Sequence, residues 1–122
     1  AGYDFFSPID VIIAPRERKI IWTNVKAYMQ PDEVLTIHVR SSIGIKRGLV
    51  LANGTGIIDA SYYENEDNDG NIGIPLVNTT GNAVEIKAGE RIAQGVFLNY
   101  LVADEEEVLN ETRKGGMGSS GK

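Results

Sequence analysis

An all-β fold, either a sandwich or a barrel, is what this sequence predicts, and three observations carry it. Short β-branched runs recur along the chain, while helical periodicity is hard to find. Turn chemistry punctuates those runs at Asn53-Gly54, Asp69-Gly70 and Thr80-Gly81-Asn82, where residues that tolerate positive φ cluster. The 122 residues are enough for one domain and too few for two.

Taken in order, strands are expected over residues 10–13, 18–27, 34–40, 49–52, 56–58, 72–78, 83–86 and 94–102. Within 34–40, Leu35, Ile37 and Val39 share one face, and Thr36, His38 and Arg40 share the other. About one turn of helix fits between the third and fourth of these strands, near residues 42–47. Asn53-Gly54 is expected to close a hairpin between the fourth and fifth. After Val102 the character changes. Asp104-Glu105-Glu106-Glu107 leads to Arg113-Lys114 and a Gly/Ser tail in which only Met117 could join a core. Residues 1–112 therefore read as the folded domain and 113–122 as a mobile arm.

Composition narrows the function. At 42% apolar and 24% charged the chain has ordinary soluble composition. It contains no cysteine, which excludes disulfides and thiolate metal sites. A net charge of −5 argues against binding a nucleic acid polymer through a basic surface. It leaves room for a small anion, because a few arginines and backbone N–H groups can hold a triphosphate on an acidic protein. The apolar runs are too short to span a membrane and no signal pattern is visible, so a cytoplasmic location is expected.

Four segments could carry chemistry. Arg40-Ser41-Ser42 places a guanidinium and hydroxyls at a strand end, which suits an anion. Asn53-Gly54-Thr55-Gly56-Ile57-Ile58-Asp59-Ala60-Ser61-Tyr62 is a Gly-rich turn that lets backbone approach a ligand, followed by a carboxylate that could serve as a general base. Gly89-Glu90-Arg91-Ile92-Ala93-Gln94 offers an amide on entry to a strand. The tail could form a nest of N–H groups around phosphate oxygens. Each has an ordinary alternative: Arg40 as a solvated strand end, Asp59 as a turn cap, Tyr62 as a core tyrosine, the tail as a solubilising terminus. His38, the only histidine, receives no role. Gly116 to Lys122 mimics part of a P-loop but no Ser/Thr or helix follows. Asn65, Asp67, Asp69 and Gly70 mimic the start of an EF-hand, but Leu76 stands where its last ligand should be.

Together with Ala1-Gly2-Tyr3-Asp4, these segments resemble, in order and spacing, the five motifs of the trimeric dUTPase family. The resemblance implies a β-clip or distorted jelly-roll barrel with at most one very short helix. It also implies a homotrimer that hydrolyses dUTP to dUMP and pyrophosphate in sites built across subunit interfaces. Asp59 matches the carboxylate that activates water against the α-phosphorus, and Tyr62 the ring that packs on deoxyribose. Asn53, Gly54 and Ile57 match the turn that reads uracil. Arg40, Ser41, Ser42 and Gln94 match groups on the phosphate chain. Arg113, Gly116, Met117, Gly118 and Ser119 match the arm that closes over the triphosphate. Mg²⁺ is implied, held mainly by phosphates and water, with no metal ligand from the protein.

The chain departs from the family pattern at Met117, where a stacking Phe is usual, at Val39 in place of Pro, and at Ser61 in place of a frequent Asp. Little consequence is expected from the last two. It also begins inside the first motif, before which the family usually has an N-terminal strand. A dCTP deaminase of the same fold would need Glu and Arg where Pro75 and Ile45 stand. A nucleotide-sensing, protein-binding module is the other reading, with the acidic loop 64–71 as the surface for a regulator protein.

Overall fold

The computed structural model describes residues 1–104. Nine strands form along the chain: β1 (Tyr3–Phe6), β2 (Val11–Ile13), β3 (Arg18–Trp22), β4 (Glu33–Val39), β5 (Leu49–Leu51), β6 (Gly56–Asp59), β7 (Gly73–Asn78), β8 (Val84–Ile86) and β9 (Arg91–Asn99). A single π-helical turn, Ser42–Lys46, follows β4 where the helical turn was expected, and a 3₁₀ turn, Ala60–Tyr62, follows β6. No helix among the described residues is long and apolar enough to cross a membrane.

The strands make three antiparallel sheets in the orders β1-β9-β4-β6, β3-β7-β5 and β2-β8. Four of the pairings are nested: β1 with β9, β2 with β8, β3 with β7 and β4 with β6. The chain runs out through four strands, turns over near β5 and returns alongside itself, which is the jelly-roll arrangement. Among the described residues no strand pairs with its neighbour in the chain.

That nesting corrects the hairpin expectation. Asn53-Gly54 does make a tight turn: the Gly54 N–H donates to the Leu51 carbonyl at 3.0 Å, and Gly54 sits at φ 77°, where a glycine is at ease. Yet β5 pairs with β7 and β6 with β4. The turn is a corner between sheets. Thr80-Gly81-Asn82 is another, leading from β7 to β8. Turn chemistry fixes a change of direction, whereas burial of each strand's apolar face selects its partner.

Several boundaries also differ, the last strand running Arg91–Asn99 where 94–102 was expected, and one strand, β1, was not expected at all. The third strand stops at Trp22 because Asn24 adopts φ 62° and breaks the extended run expected to Ala27. Strand β1 carried no readable alternation, since only Phe5 of its four residues is buried, and its partner lies some ninety residues away at Ala93.

The core is filled by Ile13, Ile21, Leu35, Leu49, Ile72, Ile74, Leu76, Ile86 and Ile92, all essentially inaccessible. Burying each such side chain contributes about 1.5–3 kcal/mol relative to leaving it exposed. One polar residue lies among them. Asn78 is fully buried, and its amide donates to the carbonyls of Ile13 (2.9 Å) and Asn82 (2.8 Å). Its Oδ1 accepts from the Thr80 N–H and hydroxyl, at 2.9 and 2.8 Å. Asn78 thus ties β2, β7 and the corner into β8 at a single point. Replacing it with Ala strands several of these groups away from water, and unfolding stability should fall by about 2–3 kcal/mol. Urea denaturation at fixed protein concentration measures it; a change under about 0.5 kcal/mol would show that the network carries no stability.

Candidate functional site

Strand β4 lies between β9 and β6, and its alternate residues assign the faces of the sheet. Leu35 and Ile37 point into the core, so Val34, Thr36 and His38 point outward. Register carries that face across the neighbours. Opposite Val34 stand Asp59 and Leu98; opposite Thr36 stand Ile57 and Val96; opposite His38 stands Gln94, which itself faces Asp4 on β1. His38 is held locally, with Nε2 at 2.9 Å from the Thr36 hydroxyl.

Beyond His38 the face becomes cationic. Arg40 follows β4 and bonds the Asp4 carboxylate at 2.5 Å, while Arg91 reaches the other oxygen of Asp4 at 3.4 Å. Arg40, Ser42, Ile43, Lys46, Arg47, Glu90 and Arg91 line a cleft of about 300 Å³. Arg47 is braced by Glu90 at 2.8 Å and by the Glu85 carbonyl. Lys46 makes no ion pair among the described residues. Four cations face two carboxylates there, so positive charge is left over to receive an anion. Partial burial would push the Asp4 carboxyl up, but the two guanidiniums, Arg40 before Arg91, outweigh it and hold it below the usual carboxylate range.

The second cluster runs along β6, from Gly56 opposite Ile37 to Asp59 opposite Val34 at the far end of β4. The Asn53-Gly54 turn opens β6, exposed Ile57 lies on its outer face, and Asp59 closes it. Asp59 caps the 3₁₀ turn: its Oδ1 accepts from the Ser61 N–H at 3.0 Å and from the Ser61 hydroxyl. Tyr62, at the end of that turn, is a core residue with 3% exposure. Its hydroxyl donates to the Asn71 carbonyl at 2.6 Å and accepts from the Asn68 amide at 2.8 Å.

The expected site residues therefore fall into two groups. Arg40, Ser41, Ser42 and Gln94 gather at one end of the sheet, and Asn53, Gly54, Ile57, Asp59 and Tyr62 along and beyond β6. Val34, beside Asp59, and Arg40 are six steps apart along the chain, a distance of about 20 Å. Arg113, Gly116, Met117, Gly118 and Ser119 lie outside the described residues. Sequence reasoning gave no role to Lys46, Arg47 and Arg91, whose only signal is basic residues near the ends of two strands that prove to be neighbours. It also passed over Ser61, which bonds Asp59 directly.

Comparison with known proteins places this geometry. The family model for dUTPase matches residues 1–121. A deoxyuridine 5′-triphosphate nucleotidohydrolase of Lactococcus lactis is 49% identical over 122 residues, covering 99% of this chain and 81% of that protein. One from Mus musculus is 34% identical, covering 100% of this chain and 73% of its own. The crystal structure of a dUTPase from Streptococcus mutans aligns with TM-score 0.82 and 44% identity, over 85% of this chain and 81% of that one. A dUTPase from phage phi11 of S. aureus aligns with TM-score 0.75 and 27% identity, over 88% and 82%.

The Asp4 cluster predicts a pH dependence. Because the folded carboxyl titrates below its unfolded value, its contribution to stability is complete above about pH 4 and is lost as pH falls through the lowered folded value. Denaturation midpoints of the parent and Asp4→Asn should differ at neutral pH and converge in acid. A separation that stays constant from about pH 7 to about pH 3 would show that Asp4 titrates as if unpaired.

Proposed function

The chain belongs to the dUTPase family, and from that premise we propose that it hydrolyses dUTP to dUMP and pyrophosphate, by attack of water on the α-phosphorus with Asp59 as general base. The observation that carries the reading is the division of labour on the outer sheet face: a positioned carboxylate at one end and a cationic cleft at the other. Ser61 fixes one oxygen of Asp59 through two bonds, which sets the plane of the carboxylate against an incoming water. Arg40, Ser41, Ser42 and Gln94 would hold the phosphate chain, with the positive cleft stabilising the pyrophosphate that departs. Asn53, Gly54 and Ile57 would read uracil, and the Tyr62 ring would bound the deoxyribose where a 2′-hydroxyl would otherwise fit.

Asp59 and Arg40 of one chain stand about 20 Å apart along β4, too far for both to act on one phosphate chain. A homotrimer resolves this, with Asp59 from one subunit meeting Arg40 and Gln94 of another. Its support on this chain is apolar side chains on both faces of the sheet that a free monomer would leave wet: Ile57 and Leu98 on the outer face, Tyr3 and Phe97 on the other, each between 42% and 68% exposed. Arg113, Gly116, Met117, Gly118 and Ser119 would close over the triphosphate.

Among the described residues no group of three or more His, Asp or Glu is placed to hold a metal. Mg²⁺ would be carried by the phosphates and water, where it would neutralise phosphate charge. The structure of a related phage dUTPase variant is described as coordinating a structural Mg(II) ion. Another phage relative is described as controlling transfer of virulence genes by a G protein-like mechanism. A protein partner of this chain would meet the loop 64–71, where Glu66 and Asp67 are exposed.

A pyrophosphate-release assay tests the reading. The parent should act on dUTP and far more slowly on dCTP, dTTP and UTP, while Asp59→Asn should lower kcat on dUTP by about 10²–10⁴. A variant turning over at the parent rate would mean that another group is the base.

A further inference from the structure

The segment after Tyr62, read on sequence as an acidic surface loop and a false EF-hand, is bonded back to Tyr62 at Asn65, Asn68 and Asn71. Asn65 is 6% exposed; its amide donates to the Tyr62 carbonyl and to Asn68 Oδ1, both at 2.8 Å. Its own Oδ1 accepts from the N–H groups of Asp67 and Asn68, at 2.9 and 3.1 Å. Asn68 in turn accepts from the Gly70 N–H at 3.1 Å and donates to the Tyr62 hydroxyl at 2.8 Å. Asn71 takes the hydroxyl proton on its carbonyl and, through Oδ1, accepts from the Asn24 N–H at 2.8 Å. Gly70 stands at φ 82°, and a Cβ there would lie 2.7 Å from the Glu64 nitrogen and 3.0 Å from the Tyr62 carbonyl oxygen. Only glycine lets the loop close this tightly. On the outside Lys26 clasps the loop through Glu64 at 2.8 Å and Asp69 at 3.1 Å.

Two asparagine side chains and one backbone carbonyl of this loop therefore converge on a single tyrosine. Packing around the ring leaves its far end some freedom to swing, whereas a hydroxyl that both donates and accepts is fixed there. We propose that Asn68 is a positioning residue for sugar discrimination: by holding the Tyr62 hydroxyl, with Asn65 and Gly70 shaping the loop around it, Asn68 keeps the ring where a 2′-hydroxyl would collide. The inference rests on the reading of Tyr62 as the wall against the 2′ position. It adds that the 65–71 loop holds the far end of a ring whose body is packed in the core. A steric filter that can move a few tenths of an ångström loses selectivity before it loses turnover, so the loop acts on the ratio of substrates more than on the rate with either.

The test is the ratio of kcat/KM for dUTP to that for UTP in the parent, Tyr62→Ala, Tyr62→Phe, Asn68→Ala and the Tyr62→Phe/Asn68→Ala double variant. Because both substrates meet the same active molecules, the ratio does not depend on the fraction folded. Asn68→Ala should lower it about five- to tenfold, the effect of one lost hydrogen bond. Tyr62→Phe, which loses two, should lower it by at least as much, and the double variant should be no worse than Tyr62→Phe alone. An unchanged ratio in Tyr62→Ala would overturn the wall itself. A relaxed ratio in Tyr62→Ala with an unchanged one in Asn68→Ala would overturn only the positioning role. Equal losses from Asn68→Ala in the Tyr and Phe backgrounds would also overturn it, since the asparagine would then act by a route other than the hydroxyl. Should Asn68→Ala not fold, Tyr62→Phe decides alone: a parental ratio there rejects the proposal.

Discussion

Strand β4 is bonded along one edge to β9 and along the other to β6, and that position determines where chemistry can lie on this chain. Its outer face is continuous from Asp59 through Thr36 to Gln94, yet its length keeps a carboxylate at one end from a guanidinium at the other. Nesting makes this unavoidable. The chain must return past its own first half, so the residues that follow β4 and those that follow β6 leave the sheet in opposite directions. Antiparallel register is specified by the buried face, where a slip of one residue would bring Val34, Thr36 and His38 into the core. The separation of the two clusters is therefore as firmly set as the core itself.

Electrostatics follow the same geometry. The chain is acidic overall, with 17 carboxylate residues against 12 lysines and arginines. Even so, four of the cations converge on one cleft. A negative surround with a positive cleft repels polyanions and still concentrates a small one at a defined place. Asp4 belongs to this arrangement: it orients Arg40 and Arg91 without cancelling the charge that Lys46 adds. At the other end Lys26 serves structure, its ammonium held charged by Glu64 before Asp69.

Much of this was legible in the sequence where the signal is local. The alternation in β4 gave the correct faces because a half-buried strand writes its burial with a period of two. The helical turn after Arg40 and the capping role open to Asp59 were readable from residue type. What lay out of reach were pairings and networks across the chain. Asn53-Gly54 signals a turn in either a hairpin or a corner, and only the buried faces of β5 and β6 decide between them. Nothing near Asn78 shows that its partners include Ile13. The asparagines 65, 68 and 71 look like polar loop filler until the fold brings them onto the Tyr62 hydroxyl and carbonyl. Lys46, Arg47 and Arg91 become one cluster only because the chain after β4 and the start of β9 share an edge of the barrel.

The claim that everything else leans on is that one chain supplies two incomplete halves of a site. Co-assembly of Asp59→Asn chains with Arg40→Ala chains measures it most directly. Each variant alone should hydrolyse dUTP poorly, because every one of its sites lacks the same group. Mixed in equal amounts and allowed to exchange subunits, they should regain activity in about a quarter of the sites, the share expected from random assortment in a symmetric oligomer. A mixture no more active than the average of the two variants would contradict the account and place both groups in a single chain's site.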